Sequence, residues 1–217
     1  MEENYIVEKT VNFVKEKLHG AEGGHDWFHI ERVYRNALLI AKSEECDLLV
    51  VKLAALLHDI ADSKFHNGDE TVGPKMARDF LIGSNVNEET ILHVVNIIEN
   101  ISFKGGNSAK TFHSIELDIV QDADRLDAIG AIGIARAFNY GGFKNRQLYN
   151  PEKKPKFGMD KEEYKKSDSP TINHFYEKLL TLKDRMNTKT GKELALARHH
   201  YLENFLTQFY DEWEGRK

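Results

Sequence analysis

The chain of 217 residues has a single cysteine, Cys46, so no internal disulfide can form and a reducing, cytoplasmic setting is expected. No window approaches the roughly 18 apolar residues that a membrane-spanning helix needs. The acidic start from Met1 to Ile6 lacks the hydrophobic run of a secretion signal. Alternating strand patterns are nearly absent and no internal repeat is present. The net charge of −5 argues against a surface built to grip nucleic-acid backbone. No stable nucleic-acid partner and no membrane are therefore expected, while a homodimer stays open. What is present is 41% apolar and 30% charged residues, enough for a proper core. The expected fold class is all-α, a helical bundle forming a single compact domain over residues 1–217.

The stretch Leu48 to Asp62 organises the rest. Its first ten residues are apolar except for Lys52, which predicts a helix buried on every side. That helix runs directly into His58-Asp59, and Asp62 falls between the two one turn later. Ionisable groups carried into a core have to be paired, hydrogen-bonded or bound to a metal. A helix that merely ends in polar residues is the plain alternative.

Helical spacing predicts an amphipathic helix over 4–18, then a glycine-broken loop containing His25. A second helix is expected from Trp27 to Ser43, capped by Asp26, with His29 at the margin of its core stripe. After Asp62, Lys64, His66 and Asn67 lie near a turn at Gly68, where they would serve either a substrate phosphate or solvent. Helices are expected over Lys75–Leu81 and Glu88–Ile101, the latter placing His93 on its polar face with Asn96 and Asn100. Gly105 and Gly106 end that helix, where backbone amides and Lys104 suit an anion and a simple cap explains the glycines equally.

The spacing predicts one long helix over Ser114–Arg136. On it Leu117, Val120, Ala128, Ala131 and Ala135 lie within about 40° of Asp124, which embeds that carboxylate in an apolar stripe. Asp122 projects about 160° away. A buried salt bridge to Arg32 or Arg125 is one way to hold Asp124, and Asp127 one turn on reads as its support. Periodicity is lost over residues 139–170, where eight Lys and Arg stand among five acidic residues. A lid with a basic excess suits a polyphosphate; a floppy insert has the same signature. Helices over Thr171–Met186 and Lys192–Glu214 close the chain, with His199 and His200 read as surface residues.

His29, His58, Asp59 and Asp124 together are two imidazoles and two carboxylates on three helices, a ligand set for one divalent transition metal. The mixed nitrogen and oxygen set without thiolate suits Mn²⁺ first, with Fe²⁺, Co²⁺, Ni²⁺ or Zn²⁺ as alternatives. Asp62 shares their face and is placed to orient or deprotonate a water.

The order His29, His58-Asp59 and then Asp124 within Asp122-Ala-Asp-Arg-Leu-Asp127 resembles the HD-domain metal-dependent phosphohydrolases. The resemblance spans roughly residues 20–135, leaving a loop over 139–170 and C-terminal helices over 171–214. The wider texture around Trp27-Phe-His29, Leu56-Leu-His-Asp-Ile-Ala-Asp62 and Asn173-His-Phe175 is similar to a compact bacterial branch containing nucleoside-triphosphate pyrophosphohydrolases. It implies an all-α HD-type fold, the four residues as metal ligands, and hydrolysis of a phosphoester or phosphoanhydride. Asp62 matches the carboxylate that related nucleotidases use on the attacking water. The implied substrate is a nucleoside or deoxynucleoside triphosphate, cleaved to monophosphate and pyrophosphate. Lys64, Lys104, Arg125, Lys144 and Arg146 are the cations expected to meet its phosphates. A monophosphate 5′-phosphatase, a phosphodiesterase or a non-catalytic nucleotide sensor of the same fold are the competing readings.

Overall fold

The computed structural model describes residues 2–20, 26–61, 69–101, 112–159, 163 and 167–217. Among the described residues the regular structure is helical: α1 (Glu2–Lys17), α2 (Trp27–Ala41), α3 (Leu48–Leu57), α4 (Val72–Ile82), α5 (Glu88–Ile101), α6 (Ile115–Asp127), α7 (Gly130–Phe143), α8 (Thr171–Glu177), a 3₁₀ helix (Leu179–Arg185) and α9 (Lys189–Trp213). The all-α expectation holds. None of these helices is long and apolar enough to cross a membrane. The chain divides into two compact units, residues 1–124 and 125–217, and the division falls inside α6.

In the first unit α3 is the hub, packed against α1, α2 and α5, while α5 also packs on α4. Its Leu-Leu-Val-Val-Lys-Leu-Ala-Ala-Leu-Leu sequence buries Val50, Val51 and all of Leu53 to Leu57. Such a helix needs a firm start, and Asp47 supplies it by accepting from the backbone N–H groups of Leu49 and Val50 at 2.9 and 3.1 Å. The Asp47 N–H itself donates to the buried Glu116 carboxylate at 2.9 Å, fastening the head of α3 to the head of α6. Cys46, beside this joint, has its thiol pushed up by burial and by the negative charges of Glu116, Asp47 and Glu44.

The second unit is built on α9, which packs against α7 and the 3₁₀ helix, with α8 against both of these. Phe138, Phe175 and Phe205 meet at its centre, with ring centroids 5.6 to 6.0 Å apart. His199 belongs to this interior rather than the surface: it is buried, its Nε2 lies 3.3 Å from Glu203, and its Nδ1 has no hydrogen-bond partner among the described residues.

The helix expected over Ser114–Arg136 is two helices. Residues 128–135 are small and apolar at helical spacing, so nothing in the pattern stops the helix. The stop is conformational. Gly130 adopts φ +74°, and a Cβ there would stand 3.1 Å from the Arg198 side chain. The last α6 carbonyls accept instead from guanidinium groups, Leu126 from Arg198 and Asp127 from Arg136. The Asp127 carboxylate is 1% exposed and binds Arg136 at 2.7 Å, where the sequence suggested support for Asp124. The helix expected over Thr171–Met186 is likewise divided, at Lys178 with φ −139° and ψ −56°. Helix α7 continues to Phe143, so the aperiodic stretch begins at Lys144 rather than Asn139.

Replacing Asp127 by Asn removes the charge from a nearly dry ion pair and leaves two guanidinium groups facing it. A loss of about 3 kcal/mol in unfolding free energy is expected, as for other half-broken buried pairs. Urea titration of Asp127→Asn checks it; a change below the scatter of surface substitutions would refute it.

Candidate metal centre

Each donor is delivered by a helix end or by a helix flank close to one. His29 sits in the first turn of α2, fixed there because Asp26 Oδ1 accepts from the His29 backbone N–H at 3.0 Å. The imidazole is 1% exposed, deeper than the margin expected from the sequence. α3 stops at Leu57, so His58 and Asp59 occupy the turn that follows it, rather than the helix interior. His58 remains buried, and its Nδ1 lies 2.9 Å from the Ala55 carbonyl oxygen. A carbonyl can only accept, so Nδ1 carries the proton and the Nε2 lone pair is left for another partner. That anchor is a main-chain group three residues back and leaves no signature in the sequence.

The donors converge. Ligand atoms of His29, His58 and Asp59 all lie within 4.8 Å of one another. His29 Nε2 is 4.0 Å from Asp59 Oδ2 and 3.6 Å from Asp124 Oδ1. The two imidazole rings stand edge to face with centroids 5.4 Å apart. Helix α2 is tied to α6 beside this point, since Asn36 Nδ2 donates to the Ala123 carbonyl at 3.3 Å.

Asp124 differs from its expected setting. Its carboxylate is 43% exposed rather than sunk in an apolar stripe, whereas Asp122, expected on the far side, is fully buried. α6 is covered on several sides, with Ile119, Ala123 and Leu126 buried, which accounts for the burial of Asp122. Leu117 and Val120, on Asp124's own side, are buried as well, so the opening is local to Asp124, one turn from the end of α6, and it gives the cluster an accessible edge.

The cluster passes the chemical test for a divalent metal. It joins two imidazoles and two carboxylates, one imidazole has its tautomer set for coordination, and one carboxylate reaches solvent. His29, His58, Asp59 and Asp124 are the residues that would hold such an ion.

The other histidines of this unit lie elsewhere. His93 is half-buried, not on an open polar face: its Nε2 is 3.0 Å from Ser114 Oγ and 3.3 Å from Glu116 Oε2. Glu116 precedes Asp124 by eight residues of α6, about 12 Å along the axis, so His93 serves a separate network. His113 pairs with Asp118 at 3.0 Å.

The cations expected at the phosphates are distributed as follows. Arg125 Nη1 donates to the Arg185 carbonyl at 2.6 Å. Lys144 caps α7 with its ammonium 5.2 Å from the Phe143 ring centroid. Arg146 donates to the Ser167 carbonyl at 2.8 Å and lies over the Tyr140 ring. Together with burial, the charges of Lys178 and Arg146 lower the pKa of His174 to about 3. Asp62, Lys64 and Lys104 lie outside the described residues.

Comparison with known proteins gives a consistent picture. A family model described as HD domain matches residues 27–129, a span that contains all four donors. The chain is 39% identical to YpgQ of Bacillus subtilis, over 99% of its own length and 97% of that protein. It superposes on the crystal structure of an HD-superfamily hydrolase from Bacillus thuringiensis with a TM-score of 0.78 and 44% identity, covering 98% of each chain. The crystal structure of Bacillus subtilis YpgQ in complex with ADP superposes with a TM-score of 0.78 and 35% identity, covering 98% of this chain and 97% of that one. With the paired histidines, the His58-Asp59 turn and Asp124 converging as they do, the chain belongs to the HD-domain superfamily.

Proposed function

We propose that the protein is a metal-dependent phosphohydrolase that cleaves nucleoside or deoxynucleoside triphosphates between the α and β phosphates, giving the monophosphate and pyrophosphate. The observation that carries the hydrolase reading is the cluster itself: three donors within 4.8 Å and Asp124 at 3.6 Å from His29, with one edge open. The ADP bound by YpgQ supports a nucleotide as ligand, and the sequence texture shared with pyrophosphohydrolases supports the choice of bond. A divalent ion bound by His29, His58, Asp59 and Asp124 supplies Lewis acidity, polarising a phosphoryl oxygen and acidifying water.

The chain's own groups have distinct tasks. Ala55 holds the His58 ring in register through Nδ1, and Asp26 fixes the turn that carries His29. Asp124, on the open side, borders the position of an incoming phosphate. Asp62 takes the proton from the attacking water as its oxygen adds to the α phosphorus. The bond from that phosphorus to the bridging oxygen then breaks, and the pyrophosphate leaves with the bridging oxygen. Lys64 and Lys104 are the cations proposed for the negative charges that one ion leaves uncompensated.

Three outcomes are expected. Purified protein should contain one divalent transition metal per chain by elemental analysis, and chelation should abolish hydrolysis. Asp124→Ala should lose both the metal and turnover. Full activity in excess chelator would end the metal-hydrolase reading. Asp62→Asn should retain the metal while turnover falls about 10²–10⁴-fold, the size of a lost general base. Loss of metal from that variant would make Asp62 a ligand. Finally, chromatography of reactions with Mn²⁺ and a triphosphate panel should resolve monophosphate and pyrophosphate in equal amounts. Nucleoside plus inorganic phosphate from monophosphates alone would move the activity to a 5′-phosphatase, leaving the metal chemistry in place.

A further inference from the structure

The donor cluster depends on a spacing that no donor sets by itself. His29 belongs to α2 and Asp124 to α6, so the 3.6 Å between Nε2 and Oδ1 is a distance between two helices. Two donors on one ion stand about 3.0–3.4 Å apart, given bonds of about 2.1 Å at octahedral or tetrahedral angles. Drawing the helices apart by about an ångström therefore costs the ion a ligand.

Little packing holds that distance. Helix α2 lies mainly against α3, and among the described residues it meets α6 only sparsely. Two other bonds that fasten α6 lead to different helices. Glu116 accepts from the head of α3, and Gln121 Nε2 donates to the Asn100 and Ile101 carbonyls of α5 at 3.0 and 3.2 Å. The Asp124 carboxylate, 43% exposed, is not held by burial.

Asn36 supplies a direct tie. It follows His29 by seven residues, two turns of α2, so the two share a face about 10 Å apart. Its Nδ2 donates at 3.3 Å to the carbonyl of Ala123, the residue before Asp124. A carbonyl oxygen has two lone pairs, so α6 accepts this bond without giving up its own ladder. His29 and Asn36 thus meet α6 at adjacent residues. Two contacts from one helix face fix distance and rotation together, where one contact would leave a hinge.

We propose that Asn36 is a positioning residue for the metal: its amide holds α6 against α2, so that the Asp124 carboxylate stands within reach of the ion that His29 binds. The inference rests on the metal-hydrolase reading of the cluster and adds a residue outside the ligand set. A side chain without an N–H at this position lets the last turn of α6 draw away from His29.

Titration of Mn²⁺ into the metal-free protein against a chelating indicator tests this without turnover, in wild type, Asn36→Leu and Asn36→Asp. Asn36→Leu keeps the branched shape and lacks the donor. It should bind Mn²⁺ about tenfold more weakly or worse, the range for residues that orient metal ligands. Asn36→Asp adds a negative charge to the helix that carries His29, which by attraction alone favours a cation. With the donor gone it should nevertheless bind more weakly than wild type. Asn36 is half-buried, so both variants are expected to fold, and circular dichroism with urea titration checks this. Wild-type affinity in Asn36→Leu, or tighter binding in Asn36→Asp, would overturn the positioning role. That holds even if the urea midpoint falls, because a bond serving stability alone moves the midpoint and leaves the affinity of the folded protein unchanged. Wild-type protein that binds no Mn²⁺ would remove the metal reading and this inference with it, so the two failures are told apart.

Discussion

One hydrogen bond sets the terms for the donor cluster: His58 Nδ1 to the Ala55 carbonyl. An imidazole at the end of a helix buried from Leu53 to Leu57 would otherwise be an orphan, costly to place and free to choose its tautomer. Tied back to α3, it keeps a ring nitrogen within 4.8 Å of ligand atoms of His29 and Asp59. The rigidity of that bond is the rigidity of α3, whose apolar surface packs against three other helices. The hub role of α3 and the alignment of the histidine are therefore one property. Burial fixes the helix, and the helix fixes the ring.

Charge in this fold is handled by two different strategies. At the donor cluster, two carboxylates converge on imidazoles and one of them, Asp124, keeps contact with solvent. At the end of α6, Asp127 is dry and is met by Arg136, while Arg198 takes a main-chain carbonyl. The first arrangement gathers donors of the kind that hold a divalent cation; the second pairs its carboxylate with a guanidinium. Two aspartates one helical turn apart thus belong to opposite classes, and only their surroundings distinguish them.

That contrast explains what was legible in the sequence. The bounds of α5, the apolar body of α3, the Asp26 cap and the convergence of His29, His58 and Asp59 follow from periodicity and from ionisable residues on apolar faces. The environments of Asp124 and Asp122 do not: a helical wheel assumes one covered side, whereas α6 is covered on several, which buries Asp122, and a wheel carries no position along the axis, which is where Asp124 differs from the buried Leu117 and Val120 on its own side. The break before Gly130 was hidden because arginines distant in sequence satisfy the carbonyls that a continuing helix would have used. His93 and His199 were misjudged for the same reason, their partners Ser114, Glu116 and Glu203 being polar residues that look like solvent-facing neighbours.

The setting of Cys46 carries a consequence for how the protein meets oxidants. Burial and three neighbouring carboxylates hold its sulfur in the protonated form, and the thiolate is the species that peroxides and disulfides attack. The donor cluster contains nitrogen and oxygen atoms only. Sulfur chemistry thus has no entry at the cluster, and the chain's sole thiol is poorly disposed to react. An oxidant that acts through thiolates thus meets little reactive sulfur at Cys46 and none in the donor cluster.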